Sequence, residues 1–207
     1  MIYDISQTLR PGIPVWPGDT DYEMTETWEM SDSCPVKVSS LTLSTHTGSH
    51  ADAPCHYTLD GLDSASTPLD AYLGPAQVID LSASVGALVT SDDLKGKLED
   101  GVGRVLLKLF PAFPHEGWDP AFPAIHPETI DWLAARGVKL IGTDVPSLDP
   151  QDSKTLDAHR RVAAHGLAIL EGLVLDGVPE GTYELIALPL KIEGSDGSPV
   201  RAILRSL

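Results

Sequence analysis

The chain has 207 residues, 42% of them hydrophobic, and sets 14 Lys plus Arg against 30 Asp plus Glu for a formal charge of −16. That length and apolar content suffice for one well-filled core, so one domain over 1–207 is expected. The acidic balance repels phosphate backbones and anionic lipid surfaces, which argues against nucleic-acid and membrane partners.

No apolar run approaches the roughly 20 residues that span a bilayer. The opening Met1-Ile2-Tyr3-Asp4-Ile5-Ser6 lacks the basic-then-apolar pattern of a secretory signal, so a cytoplasmic location is expected. In chain order, Trp16-Pro17-Gly18-Asp19 reads as a turn that carries an aromatic; Trp16 is then either a core residue or an exposed loop side chain. Strands are predicted over 22–28 and 36–43, the second with the apolar/polar alternation of a half-buried strand. Cys34 and Cys55 are too few for a disulfide framework and read as free thiols.

The segment His46-Thr47-Gly48-Ser49-His50-Ala51-Asp52-Ala53-Pro54-Cys55-His56 gathers three imidazoles and a carboxylate. Such nitrogen and oxygen donors suit a borderline divalent cation such as Zn²⁺. There is no His-Glu-x-x-His helix motif, and Gly48 and Pro54 would weaken or break a helix, so a loop leaving the strand at 36–43 is expected to carry the donors. His46, His50 and Asp52 form a candidate three-residue metal claw, with His56 left over for proton transfer. Cys55 is a weaker ligand candidate because nitrogen and oxygen donors already suffice.

Further strands are predicted over 76–81, 104–109, 138–141, 168–175, 183–188 and 200–204, and helices over 91–98, 127–137 and 153–166. Strands outnumber helices, which indicates a β-rich α/β domain. In the last helix Ser153 is the capping candidate, His165 a C-terminal dipole partner, and His159 shares the apolar face of Leu156 and Ala163. Glu171 interrupts an otherwise apolar strand. A carboxylate there is costly unless it meets a metal or an Arg, such as Arg160 or Arg161.

These residues resemble the bacterial kynurenine formamidases, within the cyclase-like metal-dependent hydrolases. The resemblance rests on Trp16-Pro17-Gly18-Asp19, on the His46 to His56 motif, on the block from Gly142 through Asp144-Val145-Pro146 to Asp157-Ala158-His159, on Ile169-Leu170-Glu171-Gly172, and on Leu185-Ile186-Ala187-Leu188-Pro189-Leu190-Lys191. It implies a swivelling β/β/α fold, a homodimer, and hydrolysis of N-formyl-L-kynurenine to L-kynurenine and formate. It further implies two Zn²⁺ per subunit: His46, His50 and Asp52 on one, His159 on the second, with Asp52 and Glu171 bridging. His56 matches the proton donor and acceptor, and Trp16 a substrate-packing residue. Ser49 and Cys55 depart from the commoner family residues; Ser49 keeps a hydroxyl, whereas Cys55 bears on metal preference and oxidation. The competing readings are an isatin-type cyclic-amide hydrolase of the same family and a non-catalytic, metal-stabilised binding module.

Overall fold

A computed structural model describes residues 1–207. The chain begins with β1 (Ile2–Asp4), runs through a separate hairpin, β2 (Glu23–Trp28) and β3 (Val38–Thr42), and enters the main sheet at β4 (His50–Asp52). The middle of the chain holds β5 (Leu73–Asp80), β6 (Leu88–Val89), α1 (Ser91–Leu94), β7 (Arg104–Lys108), β8 (Ala124–Ile125), α2 (Pro127–Ala134) and β9 (Leu140–Thr143). It closes with α3 (Asp157–His165), β10 (Ala168–Glu171), β11 (Gly181–Ile186), β12 (Gly197–Pro199) and β13 (Ile203–Ser206).

Nine strands form one sheet in the order β1-β13-β11-β5-β7-β9-β10-β4-β12. Its centre, β5-β7-β9-β10, is parallel and its flanks are antiparallel. Parallel strands are covered on both faces and read as continuous apolar runs. Accordingly Val105 and Leu107 of β7 join the core beneath Ile130 and Leu133 of α2 and Val162 of α3. Leu106 between them joins a second core with Val78, Leu170, Leu185 and Leu204. The protein is thus a sheet-dominated α/β structure, as expected from the sequence.

Several local expectations are revised. The 36–43 segment is not half-buried: every residue of β2 and β3 is exposed, because the hairpin pairs only with itself. The strand expected over 168–175 stops at Glu171, where Gly172 turns to φ +62°. The one expected over 200–204 begins only at Ile203, as β13, and the three residues before it are in no strand; the preceding β12 ends at Pro199, which has no N–H for the ladder. The last helix starts four residues later than expected. Ser153 caps only the Leu156 amide, and Leu156 adopts a left-handed φ of 50° just before α3.

Candidate active site

The cluster forms where β4 lies between β10 and β12. In this antiparallel register His50 faces Glu171 and Pro199 across the ladders, and Asp52 faces Ile169 and Gly197. The period of two puts His50 and Asp52 on one side of the strand while Ala51 enters the core beneath. The donors therefore sit on and around a buried strand, not on a loop leaving the exposed hairpin as the sequence suggested. His46 precedes the strand, and Gly48 (φ +71°) reverses the chain so tightly that a Cβ there would lie 2.7 Å from Leu9 Cδ2. Glu171 ends β10, and a Cβ on the following Gly172 would meet the Gly48 carbonyl oxygen at 2.7 Å. His159 lies on the buried face of α3 with Ala158 and Val162.

The two carboxylates divide the imidazoles between their oxygens. Asp52 Oδ1 lies 3.0 Å from His46 Nδ1 and 3.4 Å from His50 Nε2, and Oδ2 lies 3.4 Å from His159 Nε2. Glu171 repeats the division, with Oε2 3.5 Å from His50 Nε2 and Oε1 3.6 Å from His159 Nε2. Asp52 and Glu171 are almost fully buried, and neither Asp52 oxygen has a hydrogen-bond partner. A buried carboxylate is tolerated only beside compensating positive charge. The nitrogens approach it without hydrogen-bond geometry, converging on shared space, which fits this nitrogen and oxygen donor set to divalent cations.

Each ring's outward nitrogen has an acceptor. His46 Nε2 donates to Asp196 Oδ2 at 3.2 Å, His50 Nδ1 to the Gly48 carbonyl at 3.0 Å, and His159 Nδ1 to Asp149 Oδ2 at 2.6 Å. Such outer partners fix the tautomer and ring orientation that a metal ligand needs. Burial would discharge the rings, but the carboxylates outweigh it: Asp52 and Glu171 push His50 up to about 10, and Asp149, Asp52 and Glu171 hold His159 well above the usual imidazole range. Asp52 is held well below the carboxylate range against its burial, chiefly by His159 and His46. The cluster is a strong sink for positive charge.

His56, on the short turn Pro54–His56, keeps about a third of its side chain exposed (34%) and lies beside His46, with ring centroids 4.2 Å apart and the planes tilted by 43°. Above the cluster opens a cavity of about 500 Å³ lined by Trp16, Phe110, Phe113 and Trp118, with His50, His159 and Glu171 among its inner residues. Trp16 is neither a core residue nor a fully exposed loop side chain: it is half-buried, packs edge-on against Trp118 at 5.4 Å and lines the cavity.

All seven residues singled out in the sequence, His46, His50, Asp52, His56, His159, Glu171 and Trp16, come together here. Glu171 makes no pair with Arg160 or Arg161; Arg161 pairs with Asp131, which also binds His165. Cys55 Sγ bonds the Ser195 carbonyl and is not among the converging donors. Asp149 and Asp196 were not foreseen. Asp149 also caps α3 by accepting from the Ala158 and His159 amides, the role expected of Ser153.

The "Putative cyclase" family model matches residues 3–150. The kynurenine formamidase of Maricaulis maris (strain MCS10) is 56% identical, over 100% of this chain and 98% of that protein. The chain belongs to the kynurenine formamidase family. A solved structure described as a potential metal-dependent hydrolase with cyclase activity superposes on this formamidase-family chain with a TM-score of 0.85 at 28% identity, covering 99% of this chain and 96% of that one. Isatin hydrolase A from Labrenzia aggregata does so with a TM-score of 0.82 at 26% identity, covering 99% and 93%. The family model ends before His159 and Glu171, so the second half of the donor set lies outside it.

Proposed function

We propose that this protein hydrolyses N-formyl-L-kynurenine to L-kynurenine and formate, as one hydrolase domain spanning 1–207. The observation that carries the proposal is a donor cluster closing the inner end of an aromatic-walled cavity whose size suits a small ligand. Two zinc ions are proposed, because both carboxylates split their oxygens between a His46/His50 side and a His159 side. His46 and His50 would hold one ion, His159 the other, and Asp52 and Glu171 both. When bound, such ions supply Lewis acidity, lowering the pKa of water and drawing charge from an amide carbonyl.

The chain's own side chains do the rest. Trp16 and Trp118 hold the aryl ring. His56, at the cavity and less buried than the donors, takes a proton from the attacking water and returns it to the aniline nitrogen as the C–N bond breaks. The tilted contact with the His46 ring and the Asp196 carboxylate set its orientation.

The same proposal includes a homodimer and a cytoplasmic location. The hairpin supports the first, since Met24, Trp28, Met30, Val36, Val38 and Leu41 expose apolar surface that a second copy would cover. Two free cysteines suit a reducing compartment. The open, aromatic-lined cavity disfavours a binding module with a closed structural metal. Purified protein should release formate from N-formyl-L-kynurenine, carry about two metal ions per chain, and turn over isatin far more slowly. Preferred turnover of isatin would move the assignment to the cyclic-amide hydrolases.

A further inference from the structure

We infer that Asp196 is a positioning residue that sets both the cation-facing His46 and the proton-transferring His56; the His56 part rests on the formamidase reading above. The Asp196 carboxylate is fixed at both oxygens. Oδ1 accepts from the Thr45 hydroxyl at 2.7 Å, and Oδ2 accepts from His46 Nε2 at 3.2 Å. The same Oδ2 lies 3.5 Å from His56 Nδ1. One oxygen thus faces one nitrogen of each of two neighbouring rings, whose centroids are 4.2 Å apart and whose planes are tilted by 43°.

The consequence for His46 follows from its two nitrogens. A carboxylate only accepts, so Nε2 carries the proton toward Asp196 and Nδ1 is the nitrogen presented to Asp52, 3.0 Å away. Without Asp196 the tautomer is unset. The local backbone is built for this contact. Gly197, next in sequence, has no side chain, and a Cβ there would lie 3.0 Å from His46 Cε1 and 3.3 Å from His46 Nε2. The Asp196 carbonyl is itself tied to the Ala53 amide at 2.9 Å, joining the segment to the end of β4. For His56, with Nδ1 turned to Asp196, Nε2 is the nitrogen left for the substrate.

Asp196→Asn tests this, since the carboxylate is half-exposed (49%) and its backbone bond is untouched, so the variant keeps its fold. The first readout is zinc affinity by chelator competition, which needs no substrate. The outer partners of metal-ligating histidines typically contribute 10- to 100-fold, and a loss of about that size is expected. The second is a double-mutant cycle at saturating zinc with whichever aryl formamide the unmutated protein hydrolyses. Asp196→Asn should lower kcat with little change in KM, and should lower it no further in a His56→Ala background. A zinc affinity within twofold of the unmutated protein, or an equal kcat loss with and without His56, overturns the assignment. If the unmutated protein hydrolyses no aryl formamide, the formamidase reading fails and the affinity readout decides the His46 role alone.

Discussion

Replacing Asp149 with Ala should cost both stability and cation affinity. Its carboxylate is the acceptor for three donors: the Ala158 amide at 3.0 Å, the His159 amide at 3.1 Å and His159 Nδ1 at 2.6 Å. The two amides are those a helix-capping side chain serves, a role contributing about 1 kcal/mol, and the ring contact is charge-assisted, contributing about 1.5–3 kcal/mol. Asp149 is buried (3% exposed), so water cannot replace it. The expected loss for Asp149→Ala is about 3 kcal/mol, which for a chain of this size lowers Tm by roughly 6–12 °C. Urea unfolding of chelator-treated protein measures it without a contribution from bound metal. Asp149→Asn keeps one acceptor oxygen and should recover part of the stability while leaving zinc affinity 10- to 100-fold weaker. A loss under about 1 kcal/mol for Asp149→Ala would refute the capping argument, and unchanged zinc affinity in Asp149→Asn would refute the positioning argument.

His56→Ala should retain bound metal while turnover falls by roughly 10²- to 10⁴-fold; loss of metal in elemental analysis would make His56 a ligand instead. Trp16→Ala should raise KM for aryl formamides roughly two- to tenfold, from an aromatic contribution of about 0.5–1.5 kcal/mol, and affect aliphatic formamides much less. Equal proportional losses on both substrate classes at constant metal content would return Trp16 to a packing role. Asp144 is pushed up to about 7 by burial, against amide bonds from Leu109 and Phe110. Its folded pKa exceeds the unfolded value of about 3.9, so the native state holds its proton longer and stability falls as pH rises between those values. Asp144→Asn should flatten that slope by an amount on the order of 2 kcal/mol across pH 5 to 7 in urea unfolding, and an unchanged slope would exclude Asp144 as its source.

His46, His50, Asp52 and His56 were legible as donors gathered in one short segment, and the rest of the donor set as groups whose chemistry conflicts with their surroundings. Glu171 in an apolar strand and His159 on an apolar helix face are anomalous locally, and their positions follow from that conflict. The central strands were legible for a related reason, because burial on both faces leaves continuous apolar runs such as Val105-Leu106-Leu107. Asp149 and Asp196 were not legible. An aspartate in a turn is ordinary, and only the fold brings Asp196 to His46, 150 positions away in sequence. The hairpin misled for the opposite reason: alternation marks a face that is covered by something, and within this chain nothing covers Val38 or Leu41.

The three-residue strand β4 has an implication for how the molecule assembles. Strand registers differ by a reversal of faces at each step, so a slip of one position would turn His50 and Asp52 into the apolar core and offer Ala51 to the cavity. Ladder bonds from three residues discriminate weakly between these pairings, whereas a divalent ion can be gripped only in the one that sets His50 across from Glu171. If the proposed ion binds there, it would act as a proofreader, adding roughly 4 kcal/mol to the correct pairing at a thousandfold excess over its Kd and nothing to the slipped one. Catalytic competence and correct sheet assembly would then be selected by the same ion.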